Sequence, residues 1–221
     1  MEDEHAVNYR ALYDHALDHL RATDPSPDQT LETWRGETPA NRTDRDLFAE
    51  YGWVVVSCGM TAHVTAKLWP RMSEAFCGWD PTPVAARPVD TRVAALEVLK
   101  NPRKINAIID FADDLVRQPG LMARLAAKPV KEVLAWLQTL PWVGETSRYH
   151  LARNIGWDVV VRTGPVPRLA AYLLLTPEEL VERTAQEVGE RVRTVDLVLW
   201  NWGHGVGDAH MKEMASLFRL L

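Results

Sequence analysis

The sequence predicts an all-α protein, and three observations support that prediction. Apolar residues recur at helical spacing in successive segments, as in RKINAIIDFADDLV from Arg103 onwards, and this spacing is typical of a helix that buries one face. Several segments begin with a capping residue followed by proline, as at Asn101 and at Thr176, which is the usual chemistry of a helix start. No segment alternates polar and apolar residues in a way that predicts a strand.

The length and composition are those of a folded globular protein. The chain has 221 residues, of which 47% are hydrophobic and 25% are charged. This is long enough for one sizeable core or for two small helical lobes, and it excludes a disordered chain. The formal net charge of −5 at pH 7 argues against a generally basic coat for nucleic acid. Any contact with DNA therefore has to be a local patch.

The cysteines and the N-terminal segment predict a cytoplasmic protein. Cys58 and Cys77 both lie in apolar neighbourhoods, which favours buried reduced thiols over a secreted disulfide framework. The segment MEDEHAVNYR lacks the basic and apolar regions of a signal peptide. No apolar run approaches the roughly 18 residues that a membrane span requires, so no membrane partner is expected.

The chain begins with a predicted amphipathic helix over residues 4–22, whose apolar residues keep helical spacing. Residues 23–42 are rich in Pro, Thr, Gly and Asn and predict a loop or an arm. The sequence therefore predicts an N-terminal helix and arm over residues 1–42 and a main domain over residues 43–221.

The main domain opens on a capping box. Thr43 and Asp46 precede the apolar stretch LFAEYGWVVVSCGM, which predicts a central helix buried on nearly every face. A second helix follows, and Pro70 either kinks or ends it. Residues 80–92 are rich in proline and predict a connection.

The next long helix is predicted to start at Asn101, with proline at its first helical position. Arg103 and Lys104 lie in its first turn, where a positive charge does not complement the helix dipole. A solvated face explains them, and contact with a phosphate is the alternative. Pro119 and Pro129 each predict the start of a further short helix.

The stretch LQTLPWVGETSRYHLARN, from Leu137 to Asn154, predicts a helix, a very tight turn and a second helix. Pro141 and Gly144 close the turn. So short a turn leaves the first backbone N–H groups of the second helix unpaired in the positive field of its N-terminus. Such a device binds phosphate.

Further along, Thr163 is predicted to cap a helix that starts at Gly164 and Pro165. Thr176 begins another helix with an acidic first turn, followed by the apolar helix RVRTVDLVLWNW and a last helix MKEMASLFRL. His204, Asp208 and His210 fall between these last two, but their spacing matches no zinc pattern, so a surface loop is expected and no metal or cofactor is predicted.

These motifs resemble the helix-hairpin-helix DNA glycosylase superfamily, which includes endonuclease III. The hairpin matches as LPWVG over residues 140–144, with Trp142 in place of the family's first glycine, and TAKLWP over residues 65–70 matches an earlier family motif. The resemblance covers most of residues 43–203. It implies a two-lobed helical bundle that flips a base out of double-stranded DNA containing a modified base, and we expect the protein to act as a monomer.

The resemblance also implies which catalytic groups are missing. Thr146 stands at the position of the lysine nucleophile, so lysine-dependent strand cleavage is not expected. Thr163 stands at the position of the catalytic aspartate and cannot stabilise a positive sugar by charge. Asp158 is the first candidate to replace that aspartate, and Glu145 and Asp196 are the others. Each has an ordinary alternative as a helix cap, a helix-terminal charge or a buried partner of an arginine such as Arg168.

Further candidate site residues lie in these motif segments or close to them in sequence. The DNA-binding set is Trp142, Val143, Gly144, Thr146, Arg148 and Arg153. The candidates for a base pocket or an apolar wedge are Tyr51, Trp53, Met60 and His150. Packing in the core explains the apolar members, and a solvated helix face explains the arginines.

The sequence leaves three functions open. The first is a monofunctional DNA glycosylase that removes a damaged or phage-hypermodified base, in repair or in defence against phage. The second is an enzyme like the phage-associated amino acid:DNA transferases or thymine pyrophosphorylases, to which EYGWVVVSCGM and NPRKINAI look closest. Loss of the aspartate fits such a transferase, because its reaction does not break the glycosidic bond. The third is a DNA reader without catalysis.

Overall fold

A computed structural model describes residues 7–220, with the side chains of all of these except Ala62 and Leu220. This part of the chain contains fourteen α-helices, one 3-10 helix and no strand, which confirms the predicted all-α class. None of the described helices is long and apolar enough to cross a membrane. The α-helices are α1 Tyr9–Thr23, α2 Pro27–Gly36, α3 Asp44–Ser57, α4 Ala62–Ala75, α5 Pro81–Ala86, α6 Pro88–Val98, α7 Pro102–Arg117, α8 Leu121–Ala126, α9 Val130–Leu137, α10 Ser147–Asn154, α11 Pro165–Tyr172, α12 Pro177–Val188, α13 Val192–Val206 and α14 Asp208–Leu220, and the 3-10 helix is Pro39–Asn41.

The chain divides into two compact units. The first unit combines the chain up to Glu37 with the chain from Asp158 onwards, and the second unit runs from Thr38 to Trp157. The sequence instead predicted an N-terminal arm that ends at residue 42 and one domain after it. The division in the structure differs because α1 packs against α12 and α13, so the N-terminal helix shares a core with the C-terminal helices.

Segments predicted as loops turn out to be helical. Residues 23–42 contain α2 and the 3-10 helix, and residues 80–92 contain α5 and the start of α6. Proline stands at the first or second position of each of these helices, where its missing N–H costs nothing. The predicted helix over residues 4–22 is present as α1, and its residues 4–6 lie outside the described part.

The core of the first unit surrounds α13. Buried side chains from α1, α11, α12, α13 and α14 meet there, among them Leu12, Leu20, Leu169, Leu180, Val198, Trp202 and Met211. Arg193, which is 2% exposed, ties the start of α13 to the end of α2. Its guanidinium donates to the backbone oxygen of Trp34 at 2.7 Å and pairs with Glu37 at 2.5 Å.

The second unit is organised around α3. The predicted capping box is confirmed, because Thr43 and Asp46 each bond the other's backbone N–H, at 2.7 and 3.2 Å. Residues on nearly every face of α3 are buried, as predicted. The carboxylate of Asp44, in its first turn, accepts from the N–H of Gly120 at 2.6 Å and of Met122 at 2.7 Å, which fixes the start of α8.

Replacing Gly52 by alanine should destabilise the second unit. A Cβ at this position of α3 would lie 2.3 Å from the ring of Trp79. Trp79 is 5% exposed, and its ring stacks on those of Trp69 and Phe76, with centroid distances of 4.4 and 5.1 Å. The ring therefore cannot move away from an added Cβ. We expect Gly52→Ala to lower the free energy of unfolding by about 1–3 kcal/mol, as overpacking does, measured by urea denaturation.

Gly36→Ala is the matched control, because a Cβ at the end of α2 meets nothing within 4 Å. It should change the free energy of unfolding by less than about 0.5 kcal/mol. Equal stability of the two variants would contradict the packing described for Trp79.

Candidate nucleic-acid interface

The predicted hairpin is present in the second unit. α9 ends at Leu137 and α10 begins at Ser147, with a tight turn between them. The N–H of Val143 donates to the carbonyl of Leu140 at 3.1 Å, and the Val143 side chain is buried at 5% exposure. The buried side chain of Val143 therefore anchors the turn to the interior of the second unit, while Gly144 is exposed.

Trp142 keeps a turn conformation that glycine usually takes. Its φ is +68°, in the left-handed region, which costs a residue with a Cβ about 1–2 kcal/mol. The sequence departs here from the family's first glycine, yet the backbone has the shape for which that glycine is suited. The ring of Trp142 is 37% exposed.

The hairpin presents free backbone donors at the start of α10. The N–H of Gly144 is satisfied by the Ser147 hydroxyl at 2.8 Å, which the sequence prediction did not foresee. The N–H groups of Glu145, Thr146 and Ser147 donate to no other described residue. Donors of this kind, at the positive end of a helix, form an anion site.

Tyr51 holds the hairpin turn from the core. Its hydroxyl donates to the carbonyl of Pro141 at 3.1 Å, and its ring lies 4.5 Å from that of Phe111. Burial, with the negative charges of Asp110 and Asp114, raises the pKa of Tyr51 above its usual value, so the hydroxyl stays a donor. Tyr51 is 0% exposed, which favours a supporting role over the predicted place in a base pocket, and that place stays a prediction.

The arginines of α10 mainly support the hairpin. The guanidinium of Arg148 bonds the side chain of Gln138, just after α9, and lies 5.2 Å from the ring centre of Tyr149. Arg153 is 5% exposed and donates to the side chain of Asn154 at 3.4 Å. This burial favours a structural role for Arg153 over the predicted phosphate contact, which stays a prediction.

The other three candidates for a pocket or wedge are all half-buried. Trp53 is half-buried, with its ring edge-on to Trp69 at a centroid distance of 4.9 Å. Met60 is half-buried in the turn between α3 and α4, where its N–H donates to the carbonyl of Ser57 at 2.8 Å. His150 is half-buried on α10. Their roles stay predictions.

Asp158, the first candidate for the catalytic carboxylate, anchors the start of α13 in the first unit. One oxygen accepts from the N–H of Arg193 at 3.1 Å, and the other pairs with Arg191 at 3.1 Å. Both oxygens are therefore engaged, as in a helix cap. The contacts favour a structural role over the catalytic role predicted from the sequence.

The remaining carboxylates differ in exposure. Asp196 is 0% exposed and accepts from the N–H of Val161 at 3.1 Å, so it supports the chain before α11. Arg168, its predicted partner, pairs instead with Asp208 at 3.3 Å. Glu145 is exposed in the hairpin turn and forms no ion pair or hydrogen bond with another described residue.

Thr163 does not cap α11 as predicted. Gly164 takes the capping position with φ +78°, and no side-chain bond closes the helix end. A Cβ at Gly164 would lie 2.5 Å from the ring of Trp200, so glycine is required for this close approach. Thr163 is half-buried beside it, in the first unit.

Lys104 is the residue of this region that the sequence analysis missed. It was assigned to a solvated face, but it is 3% exposed. Its ammonium donates to the carbonyls of Val56 at 2.9 Å and Cys58 at 2.5 Å, and burial lowers its pKa. The signal was present in the sequence, since Lys104 shares a helix face with Ile108 and Phe111, which are buried.

The chain has the helical fold of two solved DNA glycosylases. It is similar to the 8-oxoguanine DNA glycosylase of Thermotoga maritima, with a TM-score of 0.56 and 17% identity over 89% of this chain and 98% of that one. It is also similar to the 8-oxoguanine glycosylase/lyase of Methanocaldococcus jannaschii in complex with DNA containing 8-oxoguanine, with a TM-score of 0.57 and 16% identity over 88% of this chain and 98% of that one. The sequence matches no family model and no curated protein. The two similarities establish the fold.

Removing the Asp158 carboxylate should affect stability. Asp158→Ala leaves the N–H of Arg193 without its acceptor, and loss of such a cap costs about 1–2 kcal/mol. Thermal unfolding followed by circular dichroism measures the change.

Asp18→Ala is the control for this variant, because Asp18 is 73% exposed and makes one surface ion pair with Arg21. Its effect should stay below about 0.5 kcal/mol. The structural role of Asp158 is contradicted if the two variants unfold at the same temperature.

Proposed function

We propose that the chain is a DNA glycosylase of the helix-hairpin-helix type, which flips a modified base out of double-stranded DNA and excises it by hydrolysis. The observation that carries the proposal is the hairpin, whose unpaired N–H groups at Glu145, Thr146 and Ser147 form an anion site. The similarity in fold to two DNA glycosylases supports it. The chain is proposed to act as a monomer.

The charge of the chain agrees with binding through backbone groups. A net charge of −5 gives little general attraction for DNA. Backbone N–H groups and a helix dipole bind a phosphate without needing a basic surface around it. The local hairpin therefore replaces the basic patch that many DNA-binding proteins use.

We further propose that the enzyme lacks lysine-dependent lyase activity. Thr146, at the position of the family lysine, is exposed at the start of α10. A threonine has no amine with which to form a Schiff base with the sugar. Water is then the nucleophile, and the product keeps an intact strand with a site that has lost its base.

Glu145 is the group we propose for the excision step, and Thr163, in the first unit, is the separate alternative. Glu145 is an exposed carboxylate, whereas Asp158 and Asp196 are held by backbone N–H groups. A carboxylate stabilises the positive charge that develops on the sugar as the base leaves. Thr163 is uncharged, so excision that depends on it alone requires a modified base that is already a good leaving group.

A transferase that modifies a flipped pyrimidine without excision is the second candidate. The engagement of Asp158 and Asp196 by the backbone favours it, because a transferase does not need a carboxylate to break the glycosidic bond. A reader without catalysis is the remaining alternative, and the same experiment separates all three.

The test incubates the protein with duplexes that contain 8-oxoguanine, alkylated purines or hypermodified pyrimidines, and analyses the products by mass spectrometry. A free base with alkali-labile sites supports the glycosylase, and a nucleoside of changed mass with an intact sugar bond supports the transferase. Binding without any change in mass supports the reader. Borohydride treatment should trap no covalent adduct.

Glu145→Gln should slow excision by about a hundredfold or more, because the amide cannot supply the negative charge. Single-turnover excision at saturating protein measures the rate. Glu182→Gln, an exposed glutamate on α12, is the control and should keep the rate of the unmodified protein. Excision by Glu145→Gln at that same rate would exclude Glu145 from the reaction.

Gly144→Ala should weaken DNA binding without changing stability. A Cβ at Gly144 meets only the Ser147 hydroxyl within 4 Å, at 3.9 Å, so the free protein has room for the methyl group. Gly144 directly precedes the free N–H groups in the chain, so we expect the added methyl group to hinder a phosphate and weaken binding about tenfold, or by about 1.4 kcal/mol. Fluorescence anisotropy with a labelled duplex measures it, and Gly36→Ala should bind like the unmodified protein. Unchanged affinity of Gly144→Ala would argue against the hairpin as the DNA contact.

A further inference from the structure

Lys104 is a buried charge that joins three elements of the second unit. It lies in the first turn of α7 and is 3% exposed. Its ammonium donates to the carbonyls of Val56 and Cys58 at the C-terminal end of α3. A positive charge there complements the α3 dipole and satisfies carbonyls that the helix itself leaves unpaired.

The same ammonium lies 5.6 Å from the centre of the Trp142 ring. This distance is within the range of a cation–π attraction, which is strongest when the cation is removed from water, as it is for Lys104. Trp142 is also the hairpin residue with a left-handed backbone, at φ +68°. A residue keeps a costly backbone conformation of this kind when the contacts of its side chain offset the cost.

The turn is thus held from both sides of Trp142. The carbonyl of Pro141 accepts from the Tyr51 hydroxyl, and Val143 is buried and bonded to Leu140. Neither contact acts on the Trp142 side chain. Among the described residues, the ammonium of Lys104 is the charged group that contacts this ring.

We propose that Lys104 is a positioning residue for DNA binding: through the Trp142 ring it holds the hairpin turn in the shape that presents the free N–H groups of α10 to a phosphate. This inference rests on the proposed function, in which the hairpin binds DNA. It gives Lys104 a role beyond closing the end of α3, and it explains how the hairpin works with tryptophan where glycine is usual.

A role confined to α3 predicts a different result. If Lys104 only satisfied the carbonyls of Val56 and Cys58, its loss would have the same effect whatever residue stood at position 142. If it acts through the ring, its loss matters when position 142 is tryptophan. It matters little when position 142 is glycine, because glycine takes a positive φ without cost.

The experiment is a double-mutant cycle of Lys104→Met and Trp142→Gly, with affinity for a labelled duplex as the readout. Lys104→Met should weaken binding about fivefold in the Trp142 background and less than about twofold in the Trp142→Gly background, in line with the strength of a desolvated cation–π contact. Equal weakening in both backgrounds, or no weakening in either, overturns the proposal.

Hydrogen exchange in the absence of DNA separates this inference from the proposed function. Lys104→Met should speed exchange of the Val143 N–H about fivefold with Trp142 present, and leave it nearly unchanged with glycine there. If that coupling holds and the protein binds no DNA, the proposed function fails while the Lys104–Trp142 link stands.

If Lys104→Met does not fold, Trp142→Leu tests the proposal instead. Trp142 is partly exposed, so its replacement is tolerated more easily than that of a buried residue. Leucine retains the backbone cost and removes the ring, so the Val143 N–H should exchange faster and DNA should bind more weakly. Exchange and binding like those of the unmodified protein overturn the proposal.

Discussion

The burial of α3 on nearly every face is the constraint on which the second unit depends. A helix buried to this extent satisfies many of its polar groups through its neighbours, and each such contact positions another element. Asp44 fixes the start of α8, the Tyr51 hydroxyl holds the carbonyl of Pro141, and Lys104 takes the last carbonyls. The hairpin is therefore positioned by the polar contacts of a central apolar helix.

Local chemistry was predictable from the sequence. The capping box at Thr43, the helix start at Asn101 and the hairpin turn between α9 and α10 are confirmed, because each depends on a few consecutive residues. The proline-rich residues 80–92 were misassigned to a connection, since proline starts helices as well as breaking them. The grouping of α1 with α12 and α13 could not be predicted, because it depends on packing between distant parts of the chain.

The candidate site was predicted in part, for the same reason. The free N–H groups of the hairpin follow from the turn itself. The burial of Arg153 and the bonds of Asp158 to Arg191 and Arg193 depend on neighbours outside the motif. Lys104 bonds residues that precede it by 46 and 48 positions. Motif positions thus indicated the kind of residue to expect and could not show which side chains were already engaged.

The first unit is built from both ends of the chain, and this has a consequence for folding during synthesis. The ribosome completes the second unit, residues 38–157, before it makes α12 and α13. Until then, Leu12 and Leu20 of α1 have no apolar partners from those helices. Domains fold as they emerge from the ribosome. The second unit is therefore expected to fold while the chain up to Glu37, which belongs to the first unit, still lacks its packing partners. Helix α1 is thus made before the second unit but reaches its packed position after it.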